Sequence, residues 1–277
     1  MIDGDTRIIA HVGYPTTTFK SPIIYNPWFE RRGVNAAVVP FGVTAERFRA
    51  AFPEICRFTN FAGALITMPH KVTVVEMLDE VSTAVKVAGA CNAVRWSDDG
   101  RLIGDMFDGE GFVRGLERNG GAIAGRRVLV VGAGGVGSAI AAAAAAGGAS
   151  ELALYDVNAA SAEALAGRLA EHYPLVKLAI GSNDPDGFDV VVNATPLGMK
   201  AGDRFPLDTA RLQPSTYVAD VVMKQETTPF LAAAEARGCR TQIGVDMLFA
   251  QIPAYLAFFG FPSATTQELR DGAAISY

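Results

Sequence analysis

Histidine and cysteine are scarce in this sequence, with three of each in 277 residues. His11, His70 and His172 lie far apart, as do Cys56, Cys91 and Cys239. They show no zinc-ligand spacing, so a metal is not expected. Three distant cysteines make no disulfide framework and fit buried thiols in a reducing compartment. A basic stripe is missing too. The 24 Lys and Arg are scattered among 29 Asp and Glu, for a net charge of −5, and nucleic acid is not an expected partner. The start, MIDGDTRIIA, has no basic stretch ahead of an apolar core and does not read as a secretory signal. The apolar stretch 139–146 is far too short to cross a bilayer. These absences favour a soluble, cytoplasmic protein with a small-molecule ligand and no membrane partner; a monomer or homodimer is expected, although the sequence does not give the oligomeric state.

Apolar material is plentiful. Half of the residues are hydrophobic, and the length suits two modest α/β domains or one large one. Strands are predicted at 8–12, 36–39, 63–67 and 90–95, with helices between the earlier ones. Ser21 and Pro22 open one of those helices, Ser21 as N-cap and Pro22 in the first turn. The turn signal Ser97-Asp98-Asp99-Gly100 makes 90–104 a hairpin. A helix from Gly111 runs to the break at Asn119-Gly120-Gly121. Beyond it, apolar runs at 128–131, 152–155, 177–180, 190–193 and 218–222 alternate with helical or loop segments, the pattern of a parallel sheet covered on both faces. The last long helix is predicted at 245–259.

The stretch VLVVGAGGVGSAIAAAAAAGG places Gly132, Gly134 and Gly137 in G-x-G-x-x-G spacing, with Gly135 and Val136 between them. The motif follows an apolar strand and opens a helix, the context of a dinucleotide site. The first glycine permits the tight turn, the second lets a pyrophosphate approach the backbone, and the third lets helix and strand pack closely. Asp156 ends the next strand, 24 residues after Gly132. A carboxylate there can accept hydrogen bonds from both adenosine ribose hydroxyls and repels a 2′-phosphate. No Arg or Lys follows before Arg168, so NAD is expected over NADP. The alternative role for Asp156 is to cap the following turn.

LITMPHK, residues 65–71, delivers a lysine to the end of an apolar strand. Lysine is seldom buried unless something pairs with it or uses it. Alcohol oxidation with a nicotinamide cofactor needs a base for the hydroxyl proton. Lys71 is therefore the candidate acid/base. The glycine-rich LIGDMFDGEGF offers Asp108 as its partner, or as the N-cap of the helix that follows.

Taken together and in order, GYPTTTFKSP, LITMPHK, GACNAV, GDMFDG, VGAGGVG, NATPLGM, TPFL and GVDMLFAQ resemble the shikimate dehydrogenase family along nearly the whole chain. The resemblance implies an α/β fold of two domains. An N-terminal substrate domain, 1–107, would be completed by the returning segment 244–277, and a Rossmann dinucleotide-binding domain, 108–243, would be inserted between them. It implies interconversion of 3-dehydroshikimate and shikimate, usually with NADPH, although some members use NAD(H) and accept quinate. By resemblance Lys71 is the acid/base of an interdomain cleft and Asp108 its partner. Ser21, Thr67, Asn92 and Gln251 would contact substrate. Thr195, Pro196 and Met199 of NATPLGM, with Val222, Gly244 and Met247, would border the cofactor.

The sequence departs from the family at the substrate end. Members usually carry serine at position 19, asparagine at 65 and 106, threonine at 107 and tyrosine at 223. This chain has Phe19, Leu65, Met106, Phe107 and Met223. An apolar pocket pairs a carboxylate poorly, and burying an unpaired charge is expensive. Two alternatives therefore stand beside a shikimate or quinate dehydrogenase: a dehydrogenase of a less polar, non-carboxylated cyclic alcohol, and a non-catalytic NAD-binding sensor.

Overall fold

The computed structural model describes residues 2–273 and divides into two compact units. The first runs to Val85 and adds Gly89–Phe107 and the segment from Ile252; the second holds Lys86–Ala88 and Asp108–Gln251. The second crossing falls at 251/252, eight residues beyond the expected 244. The first turns of the last long helix stay with the second unit because they pack closely on its opening helix, as described below.

In the first unit the chain forms β1 (Arg7–Gly13), α1 (Ser21–Arg31), β2 (Ala36–Gly42), α2 (Ala45–Cys56), β3 (Phe61–Ile66), β4 (Glu80–Val81), α3 (Thr83–Ala88, whose last three residues join the second unit), β5 (Ala93–Trp96) and β6 (Leu102–Asp105). The strand order is β2-β1-β3-β5-β6-β4. β1 pairs parallel with β2 and β3, whereas β3-β5 and the β5-β6 hairpin are antiparallel. The hairpin starts at Ala93 rather than residue 90. Lys20, not Ser21, occupies the N-cap of α1. Its helical dihedrals (φ −95°, ψ −21°) preclude the extended capping geometry, and no side chain caps the helix. Pro22 is in the first turn, as expected.

The second unit contains α4 (Asp108–Arg118), β7 (Arg127–Val131), α5 (Gly135–Ala146), β8 (Glu151–Tyr155), α6 (Ala159–His172), β9 (Lys177–Ile180), β10 (Val190–Asn193), β11 (Tyr217–Asp220), α7 (Pro229–Glu235), β12 (Arg240–Gln242) and the start of α8 (Gly244–Phe258). The chain then closes with α9 (Thr266–Arg270), back in the first unit. All six strands of the second sheet are parallel, in the order β12-β11-β10-β7-β8-β9. This is the doubly wound arrangement, which places ligands beyond the carboxyl ends of the strands where the order reverses. Strand alternation sorts the core onto two faces. Val128, Val130, Leu152 and Val192 pack with α4, α5 and α6, while Leu129, Val131, Ala153 and Val191 pack with α7. β11 ends two residues short of prediction because the Val222 amide turns to donate to the Asp220 carboxylate (3.0 Å). The short β4 and β12 lack the apolar runs that announce the other strands. Among the described residues no helix is long and apolar enough to cross a membrane.

The two-faced core predicts a steep contrast in stability. Leu152, fully buried in β8, should cost roughly 2–5 kcal/mol when changed to alanine. Leu175, 98% exposed, should cost less than about 0.5 kcal/mol. Urea denaturation followed by circular dichroism measures both; equal shifts would contradict this packing.

Candidate active site

In the first unit the C-terminal ends of β1 and β3 carry the candidate chemistry. The Thr67 amide donates to the Val12 carbonyl (3.0 Å), and the His70 amide to the Thr67 carbonyl (2.9 Å). The Lys71 carbonyl accepts from the Cys91 amide (2.8 Å). Lys71 is thus fixed through its main chain in the turn after β3, and it is half-buried. His70 is structural: its Nε2 meets the Val43 carbonyl at 2.7 Å and its ring stacks on Phe48 at 3.9 Å. Buried Asn92 accepts from the Phe107 amide through Oδ1 (3.0 Å), and its own amide donates to the Asp105 carbonyl (3.0 Å). It therefore holds the hairpin to the segment that leads into α4. Phe107 sits edge-on to Tyr255 and Phe258, and Leu65 is 4% exposed, so neither position offers a polar group. Ser21 and Thr67 are half-buried.

The second unit holds the glycine loop. Gly132 has φ +108°, a region closed to most side chains, and a Cβ there would come within 2.7 Å of the Ala194 carbonyl oxygen. A Cβ on Gly137 would strike the Gly132 carbonyl. α5 therefore begins hard against the end of β7. Gly134 is its N-cap, no side chain caps it, and nothing lies within 4 Å of where a Gly134 Cβ would be. The first-turn amides, with Gly135 and Val136 leading, suit an anion such as a pyrophosphate. Asp156 secures the loop by accepting from the Ala133 amide (Oδ2, 2.7 Å) and from the Asn158 amide (Oδ1, 2.8 Å). It does cap the following turn. A carboxylate has about four acceptor positions, however, and ribose hydroxyls can use the others.

The NATPLGM segment hangs from a buried polar network. The Asn193 side-chain oxygen accepts from the Thr195 amide (3.1 Å) and hydroxyl (2.7 Å), while Nδ2 donates to the Leu197 carbonyl and to Asp220 Oδ1, both at 3.0 Å. Asp220 Oδ2 accepts from the Thr228 hydroxyl (2.6 Å). Burial pushes the Asp220 pKa up, and its three donors partly oppose that. This network sets Thr195, Pro196 and the half-exposed Met199 beyond β10. Val222 and Met247 are buried; Met247 belongs to the core with Phe112 and Leu116, the structural role its helical spacing also allows.

Two more glycines position Asp108 and Gln251. Gly109 lies against the Ala139 backbone of α5, and Gly111 against the Met247 carbonyl and Gln251 of α8. α4 is held between those helices, with Asp108 at its start and 4% exposed. Gln251 Oε1 is buried without a hydrogen-bond partner. Sequence reasoning passed over Asp220, Thr228 and His11. Asp220 and Thr228 bond across 8 residues, and Asp220 and Asn193 across 27, which no local pattern reveals. The one available hint of His11 was a histidine inside the apolar run IIAHVG.

The profile of the shikimate dehydrogenase substrate binding domain matches residues 12–94. The shikimate dehydrogenase (NADP(+)) of Rubrobacter xylanophilus is 36% identical over 257 residues, 90% of this chain and 89% of that protein. The shikimate 5-dehydrogenase of Listeria monocytogenes, solved with shikimate and NAD, superposes with a TM-score of 0.89 at 26% identity, covering 98% of this chain and 97% of that one. The ligand-free 5-ketofructose reductase of Gluconobacter sp. strain CHM43 gives 0.86 at 26% identity, covering 96% and 97%. With this extent of identity added to the two-unit α/β fold, the chain belongs to the shikimate dehydrogenase family of oxidoreductases.

Proposed function

We propose that the protein is an NAD(H)-linked dehydrogenase of the shikimate/quinate type, interconverting a cyclic secondary alcohol and its ketone. The observation that carries this reading is the pairing, in one chain of this family, of an intact glycine cradle with a lysine fixed at the end of β3. When bound, the nicotinamide supplies a hydride acceptor for oxidation and a donor for reduction. Lys71 takes the hydroxyl proton at Nζ as the ketone forms, and returns it in reduction. Asp108 orients that amine, and Ser21, Thr67, Asn92 and Gln251 bind the ring oxygens. The unpartnered Oε1 of Gln251 supports its part, because a buried acceptor gains a bond when a substrate hydroxyl arrives. Thr195, Pro196, Met199, Val222, Gly244 and Met247 border the nicotinamide.

The names of curated relatives point to NADP(+). For this chain Asp156 supports NAD. A carboxylate at the end of β8, with exposed Val157 and Asn158 after it and no Lys or Arg in the chain before Arg168, gives a 2′-phosphate no cation from this segment to pair with. A second reading concerns the substrate. Phe19, Leu65, Phe107 and Met223 favour an alcohol with less charge than shikimate, and a structural neighbour is named for an uncharged ketosugar. Lys20 is the cation nearest in sequence to Phe19 that could restore carboxylate pairing.

Lys71→Ala should lower kcat on the best ring alcohol by roughly 10²–10⁴, with NAD affinity by fluorescence titration nearly unchanged. Full activity in the variant would reject the acid/base assignment, and absence of turnover in the parent protein would favour the sensor. On one substrate, kcat/KM should favour NAD⁺ over NADP⁺, and Asp156→Ser should narrow the gap by relieving phosphate repulsion. A tenfold preference of the parent protein for NADP⁺ would sink the cofactor assignment.

A further inference from the structure

His11 and Phe19 form a stack that the reaction chemistry above does not use. Their ring centroids are 3.9 Å apart, with 21° between planes. His11 pairs in register with Leu65 of β3, so the two side chains share a face of the sheet. Two residues on, a Cβ at Gly13 would contact Thr67 Cγ2 and lie 3.0 Å from Phe19 Cζ. The stack therefore stands beside Thr67, one of the proposed substrate contacts.

The imidazole is 7% exposed and its Nδ1 is buried with no hydrogen-bond partner. A packing residue at this position would avoid leaving a polar atom orphaned, and such atoms are rare enough to need an explanation. Burial, helped by the charge of Lys71, pushes the His11 pKa down to about 3, so the ring is neutral. An orphaned N–H is costlier than an orphaned acceptor, which places the single ring proton on Nε2. The result is a neutral donor under an aromatic cover, where the family usually carries a serine in place of Phe19.

We infer that His11 is a specificity-determining residue, donating from Nε2 to an uncharged hydroxyl or carbonyl oxygen of the ring substrate. The inference rests on the dehydrogenase reading of the site. A neutral imidazole backed by Phe19 and Leu65 cannot balance a buried carboxylate, but it can satisfy one neutral oxygen. It accounts for both the apolar exchange at position 19 and the polar atom retained beneath it.

The test uses the full chain with NAD⁺ and conduritol, an uncharged cyclohexenetetrol, with shikimate as the charged comparator. His11→Phe keeps an aromatic stack and removes the donor; His11→Leu serves if that variant does not fold. Either should raise the conduritol KM roughly tenfold, the scale of one neutral hydrogen bond, and leave kcat and NAD affinity almost unchanged. His11→Gln, which puts an amide donor near Nε2, should recover most of the loss. Unchanged conduritol KM in the donor-less variant would overturn the inference. So would an equal loss in the Gln variant accompanied by a fall in Tm, since that marks a packing role. Failure of the parent protein to oxidise either compound would overturn the dehydrogenase reading and this inference with it.

Discussion

Helix α5 can begin where it does only because Gly137 carries no side chain against the Gly132 carbonyl. That contact brings the first-turn amides of α5 to the end of β7, and much of the second unit follows from it. The helix stays narrow through its alanines, so Gly109 of α4 can rest on the Ala139 backbone. Gly111 then accepts the backbone of α8 next to Gln251. A continuous run of small residues thus fixes both the first turn of α5 and the two polar side chains, Asp108 at the start of α4 and Gln251 midway along α8. Each contact is backbone against backbone or nearly so. A methyl group at any of them must move a whole helix, which is costly in an interior packed as densely as a crystal.

The first unit solves a different problem, that of holding a flexible lysine. Its answer is main-chain hydrogen bonding, from Thr67 to Val12 of β1, from His70 to Thr67 within the turn, and from Cys91, just before β5, to Lys71. The side chains around that frame divide by role. Asn92 and Thr67 are polar, with Asn92 bonded to the Phe107 amide, whereas Leu65 and Phe107 are buried apolar side chains and Phe19 stacks on His11.

Those parts of the fold that rest on local periodicity were legible in the sequence. The parallel strand 190–193 is where its apolar run places it, because a strand buried on both faces needs such a run. The glycine loop was legible because strand, turn and helix are contiguous. Features set by partners far along the chain were not. β12 takes its place from its neighbour β11 rather than from its own composition. The Asn193–Asp220–Thr228 network and the His11–Phe19 stack join residues that no spacing rule connects. The Ser21 cap slipped by one residue because the chain before it already turns helically at Lys20. For Asp156 the turn-capping role is what the hydrogen bonds show, and it occupies only part of the carboxylate's acceptor capacity.

The central claim is that Lys71-type alcohol chemistry is paired here with a pocket that disfavours a charged substrate. Shikimate and its methyl ester carry the same ring hydroxyls and differ chiefly in charge, so their relative kcat/KM with NAD⁺ isolates that term. Hydrogen bonds to a charged group are worth about 1.5–3 kcal/mol each, and their loss should erase any advantage of the carboxylate. The account predicts that the ester is oxidised at least as efficiently as the acid. A hundredfold preference for shikimate over its ester would contradict it, and would mean that the apolar residues at 19, 65 and 107 leave carboxylate recognition intact.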